Sequence, residues 1–214
     1  MADDFGAFSN LLLNTKISDN RYPVKGCHIW LPYGYEIKER VFGMVEAHAE
    51  DNGYRKYQFP RLIPGDSIRP VTEHIDDFEG HLFWLREKSG VPINVFLNPT
   101  GECGVYSMFR RWISSERDLP LRIYQRNSTF RPHKRPDAML NGDELMDLLE
   151  GHSAFATGEE ATREFERITE ALKMVHYEMG IPYLSLTRPQ EGNKPVSVRM
   201  VSFETHLPSK NRSF

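Results

Sequence analysis

The sequence predicts an α+β domain built on a mostly antiparallel sheet with helices packed on one side. Three observations predict it. Two long stretches, 35–51 and 158–179, lack Pro and fit helices, the first by its apolar spacing and the second by the cap that opens it. Short β-type runs are grouped between turn residues. Two of those runs flank Lys88-Ser89-Gly90, a hairpin signal. Strands grouped together, with helices laid against them, make this layer type. The 214 residues suffice for one such core, assigned here to 26–214 after a lead-in over 1–25 that closes at Tyr22-Pro23.

Each element has a local reason. In 35–51, Val41, Met44, Val45 and His48 recur on one helical face, with Glu36, Lys38, Glu39, Arg40 and Glu46 between them. Asn52-Gly53 ends that helix, because glycine accepts the left-handed cap. Residues 54–59 read as a strand stopped by Pro60. The hairpin runs are 81–87 and 92–97. A helix over 100–114 follows, with Thr100 placed to cap it. Residues 121–131 alternate apolar and polar, as a half-buried strand would. Pro132, Pro136, Asn141 and Gly142 mark 132–143 as a loop. A short strand at 152–156 leads into Thr157-Gly158-Glu159-Glu160, a capping box for a helix that Gly180 closes near 179. Strands at 183–187 and 196–203 complete the order.

Composition narrows the function classes. Hydrophobic residues make up 39% and charged residues 27%, values of a globular protein rather than a disordered tail. A formal net charge of -3 argues against wholesale coating of nucleic acid. Two cysteines, Cys27 and Cys103, are too few for a disulfide framework and imply a reducing compartment. No apolar run reaches membrane-spanning length, so no membrane partner is expected. The acidic opening Ala2-Asp3-Asp4 suits neither a secretory signal nor a mitochondrial presequence, and a cytoplasmic location follows as the expectation. No Gly-rich phosphate loop, zinc-ligand pair or nucleophile elbow occurs at working spacing, and the eight histidines form no metal-ligand pattern.

Five runs, taken in order across about 22–188, name a family. Gly26-Cys27-His28-Ile29-Trp30-Leu31-Pro32-Tyr33-Gly34 contains a Leu-Pro-x-Gly turn before a long helix. That helix, Gly53-Tyr54 and Pro60 follow as a helix-strand unit. Asn98-Pro99-Thr100-Gly101-Glu102 parallels an Arg-Pro-Thr-Ser-Glu pattern. Leu119-Pro120-Leu121-Arg122-Ile123-Tyr124-Gln125 leads to Phe130-Arg131. Glu150-Gly151-His152-Ser153-Ala154-Phe155-Ala156-Thr157 then matches a Glu-Gly-His-Thr-Ala-His-Ala-Thr run. Together these resemble the catalytic core of class II aminoacyl-tRNA synthetases of the prolyl type.

The resemblance implies ATP-dependent activation of proline or a related amino acid as an adenylate, with ATP and Mg2+ as cofactors. Transfer to the acceptor end of tRNA, or to a carrier protein, would follow. It also implies a homodimer formed through the motif 1 helix and strand. Arg131 matches the motif 2 arginine, whose fork suits both the carboxylate and the α-phosphate. Thr100 and Glu102 match residues that hold the substrate amine, while Glu150 and His152 match the run lining the ring pocket. His133 falls where the family has a glutamate that reads the adenine amino group.

Taken singly, the same residues admit blander roles. Arg131 could close a strand in a surface ion pair, Thr100 and Glu102 could cap a helix, His152 could be a satisfied strand histidine, and Pro60 could merely end a strand. The ATP side departs from the pattern. Phe130-Arg131-Pro132-His133 replaces Phe-Arg-x-Glu, and a histidine cannot supply a carboxylate's charge. The loop arginine is absent, leaving Lys134 or Arg135 as solvated alternatives, and nothing Gly-rich resembling motif 3 precedes Phe214. The resemblance therefore implies a core incomplete at its C-terminus, without an anticodon-binding domain. A non-catalytic paralogue that binds a regulatory partner is the second expectation.

Overall fold

A computed structural model describes residues 3–24, 26–68, 82–133, 143–188, 199–207 and 212–213. His81, Lys134, Arg135, Pro136, Asn141, Gly142 and positions 196–198 of the expected last strand lie outside these. Helix α1 (Asp3–Asn14) precedes a small antiparallel pair, β1 (Ser18–Asp19) and β2 (Ile29–Trp30). Helix α2 (Pro32–Asp51) starts three residues before the expected position. Proline explains the earlier start, since its fixed φ and missing N–H suit the first helical turn. Gly34 lies in that turn against the Ile17 carbonyl, where a β carbon would collide with backbone. Gly53, at φ +82°, turns the chain out of the helix as expected.

The central sheet runs β3 (Arg55–Lys56), β7 (Leu121–Phe130), β8 (Glu144–Ala154). Only two residues of the expected strand 54–59 pair, and they run parallel to β7. The β7–β8 pair is antiparallel from Leu121↔Ala154 to Phe130↔Glu144, with a bulge between Asn127 and Thr129. Strand β8 thus begins eight residues before the expected short strand. A second sheet holds β4 (Leu62–Pro64), β6 (Pro92–Leu97) and β5 (Trp84–Arg86), in that spatial order. Its β5–β6 hairpin turns at Gly90, φ +89°, as the sequence predicts. Helix α3 (Glu102–Trp112) bridges the two sheets. Helix α4 (Gly158–Met179) follows β8, and β9 (Leu184–Arg188) pairs with β10 (Met200–Glu204). A short pair, β11 (His206–Leu207) and β12 (Arg212–Ser213), ends the described chain.

Strand β7 is not half-buried. Ile123, Tyr124, Gln125, Asn127, Ser128 and Thr129 are all buried, because both faces are covered. On one face Ile123 packs with Val105 and Phe109 of α3. On the other, the Tyr124 hydroxyl donates to Glu50 at 2.6 Å and Arg126 donates to Glu39, both on α2. The helices therefore lie on both sides of β7 rather than on one. Its polar residues persist in the interior because they are paired: Asn127 donates to the Phe59 carbonyl at 3.0 Å and Ser128 to that of Met146 at 2.8 Å.

The core has two parts, joined by α3. Ile63, Ile68, Leu82, Phe96 and Cys103 fill one, under the β6 sheet; Val105, Phe109 and Ile123 fill the other. Phe96 is 0% exposed, and its truncation to Ala would cost about 3–5 kcal/mol. Alternate α3 residues thereby fix the start of the helix between β6 and β7, where the candidate site lies.

Candidate active site

Everything in the site is organised around the turn joining β6 to α3. Asn98 is fastened at both backbone ends: its N–H donates to the Arg61 carbonyl and its carbonyl accepts from Phe130 N–H, each at 2.8 Å. Pro99, Thr100 and Gly101 follow, all buried. Thr100 does not cap α3. Gly101 occupies the cap position and no side chain caps the helix; the Thr100 hydroxyl instead donates to the Glu102 carboxylate. With its proton spent there, the Thr100 oxygen can still accept. Glu102 opens the helix, where the aligned peptide dipoles favour a negative charge.

Arg131 extends from the end of β7 back to this turn. Its Nε donates to the Pro99 carbonyl at 2.6 Å, which ties the guanidinium down. Its two terminal nitrogens make no hydrogen bond among the described residues and point to no ion pair there. A tethered guanidinium with its fork free suits carboxylate or phosphate. The surface ion pair that Arg131 alone could have suggested is not formed within the described chain.

From β8, Glu150 and His152 lie opposite Gln125 and Ile123, on the face that carries α3. The Glu150 carboxylate accepts from Gly101 N–H at 3.1 Å and from Gln125 Nε2 at 3.3 Å. His152 Nε2 stands 3.5 Å from the same carboxylate, a charge contact too long to be a good hydrogen bond. Burial pushes the Glu150 carboxyl up, but His152, the Gly101 N–H and Gln125 outweigh it, and the group sits below the usual range. Tyr106 of α3 meets the His152 ring edge-on at 5.7 Å. Burial first, then the charges of Glu102 and Glu150, hold the Tyr106 phenol above its ordinary value. Burial and the Glu102 charge push the Cys103 thiol to about 12, leaving it inert as a nucleophile.

Three buried polar atoms lack a partner among the described residues and fall in or beside this cluster: Asn98 Oδ1, Gln125 Oε1 and His152 Nε2. Unpaired polar atoms at such depth are rare unless a ligand or water completes them. Asn98 and Gln125 fall within runs that carry the resemblance, but the sequence singles out neither as a site residue. Gln125 reads there as one polar position of an alternating strand, and only the pairing with β8 brings it to Glu150.

His133 shows no hydrogen bond to the cluster's side chains among the described residues. Its backbone N–H donates to Asp143 at 2.8 Å, closing the mouth of the β7–β8 pair beside the Arg131 N–H to Asp143 carbonyl bond at 2.9 Å. Lys134 and Arg135 lie outside the described residues. No group of three His, Cys, Asp or Glu residues arranged for a metal ion occurs among the described residues, nor does any helix there have the length and apolarity to cross a membrane.

A cavity of about 460 Å³ lies behind β8, away from this cluster. Asp147, Leu148, Leu149 and Gly151 line it from the strand, while Glu150 and His152 are not in its walls. Val41, Phe42 and Val45 of α2 and Ile168, Leu172 and Val175 of α4 complete a mostly apolar lining. Such walls do not suit a zwitterion.

No family model matches the chain. Relatives do. The proline–tRNA ligase of Methanopyrus kandleri is 36% identical over 206 residues, 94% of this chain and 42% of that protein. The corresponding ligase of Methanocaldococcus jannaschii is 34% identical over 94% of this chain and 45% of its own length. The chain thus spans less than half the length of these relatives. Among solved structures, Giardia lamblia prolyl-tRNA synthetase in complex with prolyl-adenylate superposes with a TM-score of 0.85 at 26% identity, covering 97% of this chain and 42% of that one. The Cryptosporidium parvum prolyl-tRNA synthetase complexed with L-proline and AMP shares the fold, with a TM-score of 0.83 at 23% identity over 96% of this chain and 41% of that one.

Proposed function

We infer, from a chain that is a prolyl-tRNA synthetase-like class II core in sequence and fold, that its β6–α3 turn binds proline or a close relative and presents it to ATP. One observation carries this reading: five side chains converge on residues 99–102. Arg131 is tied to Pro99, Thr100 to Glu102 and Glu150 to Gly101, while His152 Nε2 lies 3.5 Å from Glu150. A proline zwitterion needs a cation for its carboxylate and acceptors for the two N–H bonds of its ammonium. Arg131 meets the first need; Thr100, Glu102 and Glu150 meet the second.

In the proposed reaction, a substrate carboxylate oxygen attacks the α-phosphorus of ATP, the mixed-anhydride bond of the adenylate forms as the bond from the α-phosphorus to the bridging oxygen breaks, and pyrophosphate leaves. Arg131 is the proposed catalytic residue, because its fork can hold the attacking carboxylate while charge gathers on the phosphate. His133 is the proposed neighbour of the adenine, and Mg2+ enters only as the companion of the ATP phosphates. The acyl acceptor, whether tRNA or a carrier protein, lies beyond the residues of this turn. A homodimer belongs to the same proposal, supported by the exposed Tyr57 and Trp112, whose rings lie 5.5 Å apart beyond the β3 strand. The free thiols of Cys27 and Cys103 support a cytoplasmic setting.

Two measurements test the reading. Calorimetric titration with proline should show binding to the wild-type chain. Proline-dependent exchange of labelled pyrophosphate into ATP should fall by about a hundredfold or more in Arg131→Ala. A folded wild-type chain that binds no proline and exchanges with no amino acid overturns it.

A further inference from the structure

Gln125 is a demanding residue to bury. It is 1% exposed and among the largest side chains fully inside the protein, and a buried amide costs free energy unless its hydrogen bonds are made. Strand pairing sets it directly across from Glu150, and its Nε2 donates to Glu150 Oε2 at 3.3 Å. An ionised carboxylate can only accept, so the amide must turn its NH2 to Glu150 and its oxygen away. That oxygen, Oε1, is buried with no partner among the described residues. A methionine would fill similar space without leaving a polar atom unpaired. Packing alone gives no reason for glutamine here; Glu150 does.

The donors to Glu150 are few. Oε1 accepts from the Gly101 main-chain N–H at 3.1 Å. Oε2 meets Gln125 and, at 3.5 Å, His152 Nε2, a distance too long for a good hydrogen bond. The titratable groups around this corner are His152 of β8 and Glu102, Cys103 and Tyr106 of α3. Burial works against the charged form of Glu150; His152 first, then the Gly101 N–H and Gln125, outweigh it. The histidine's share depends on its own proton, whereas the amide donates at every pH. A Glu150 that took up a proton would meet a substrate ammonium donor against donor, without charge.

This inference rests on the amino-acid reading above. We propose that Gln125 is a positioning residue of the pocket: it fixes the Glu150 carboxylate as an acceptor for the substrate ammonium, and so sets a preference for a ring amine over a carbocycle of the same shape. Gln125 acts through Glu150 and not on the substrate itself.

The test uses the whole chain and two ligands of one shape. Proline carries the ammonium; cyclopentanecarboxylate has carbon in place of its nitrogen. Ligand-observed NMR, which reaches weak binding, reads both affinities, with circular dichroism as the check on folding. Wild type should favour proline. Gln125→Met removes the donor, and proline should weaken by about tenfold or more, the scale of a charged hydrogen bond removed from a buried site. The carbocycle should stay within about threefold, since it makes no use of Glu150. Equal losses for both ligands mean that Gln125 only shapes the pocket, and no loss for either means that it has no part; each result overturns the proposal. So does a wild-type chain that binds the two alike.

Ser128→Ala is the control. It removes a buried hydrogen bond to the Met146 carbonyl on the same strand pair without touching Glu150, and the preference for proline should persist. A control that loses the preference as Gln125→Met does overturns the proposal. On a Glu150→Gln background, Gln125→Met should change the preference no further, as two residues acting through one contact require; a further selective loss there overturns it. If the methionine variant fails to fold, Gln125→Asn decides: its amide ends one bond short of Glu150, the same selective loss is expected, and an unchanged preference overturns the proposal. A wild-type chain that binds no proline overturns the amino-acid reading itself, a distinct outcome from wild type preferring proline while the Gln125 variants keep that preference.

Discussion

Arg131 ties part of its guanidinium to the Pro99 carbonyl and, in the proposed site, offers the rest to the substrate, a division lysine could not reproduce. Nε is committed to the Pro99 carbonyl, while the terminal pair remains available for a second, bidentate partner. Lysine keeps the charge but is a point donor on a flexible stem, without a planar fork. Arg131→Lys should therefore weaken proline binding by about tenfold, as judged by calorimetry. Since the side chain is exposed, the urea midpoint should scarcely move, within about 0.5 kcal/mol. A lysine variant that binds like wild type would mean that charge alone suffices and that the fork has no part in recognition. Thr100 teaches a related lesson at this scale. Its residue type fits both a helix cap and an amine ligand, and the sequence cannot choose between them. The structure excludes only the cap, which falls to Gly101, and spends the hydroxyl on Glu102; the amine role belongs to the proposal above.

Helix α4 is the element whose boundaries rest most on local chemistry. Thr157 accepts from Glu160 N–H at 3.2 Å and Glu160 accepts from Thr157 N–H at 3.3 Å, a reciprocal cap, while Gly180 closes the helix at φ +65°. Thr157→Ala should cost about 1 kcal/mol, and Gly180→Ala about 1 kcal/mol through its left-handed backbone, both read as urea midpoints with unchanged slope. These ends are legible in the sequence because each depends on residues within four positions. Strand β8 is not legible in the same way. Leu145, Leu148 and Leu149 do not alternate, the bulge opposite resets the register, and Asp147 puts a charge in the stretch between the expected loop at 132–143 and the expected strand at 152–156. Asp147 is tolerated because Arg126 of β7 donates to it at 2.9 Å, a partner 21 residues away. The site divides along the same line. Thr100, Glu102, Arg131, Glu150 and His152 stand out by motif, whereas the places of Gln125 and Asn98 beside them appear only when β7, β8 and α3 meet.

Across the molecule, α2 is held to the sheet by charged contacts as well as by apolar ones, and Arg126 lies at the centre of the larger cluster. Arg126 donates to Glu39 with both terminal nitrogens and to Asp147 with Nε, and its guanidinium lies 4.1 Å from the Phe42 ring. Lys38 adds a contact to Asp147 and lies over the Tyr35 ring at 4.4 Å. Chiefly through its hydrogen bonds to Arg126, which outweigh the opposing effect of burial, the Glu39 carboxyl drops from 4.5 to about 2. A carboxyl whose folded value lies below its unfolded one stabilises the fold fully above the unfolded value. That contribution is lost as pH falls through the folded value, here between about 4.5 and about 2. Asp19 also drops to about 2, through hydrogen bonds from Arg21. That pair is two residues apart and can persist in the unfolded chain, so it separates the two states much less. Urea midpoints measured from pH 7 to pH 2 should set the two apart. Glu39→Gln should be less stable than wild type at neutral pH, with the gap closing as the acid end is approached, while Asp19→Asn should track wild type throughout. If the Glu39→Gln gap stays constant with pH, its neutral glutamine loses something other than charge, and the cluster holds α2 by shape rather than by the Arg126 pairing.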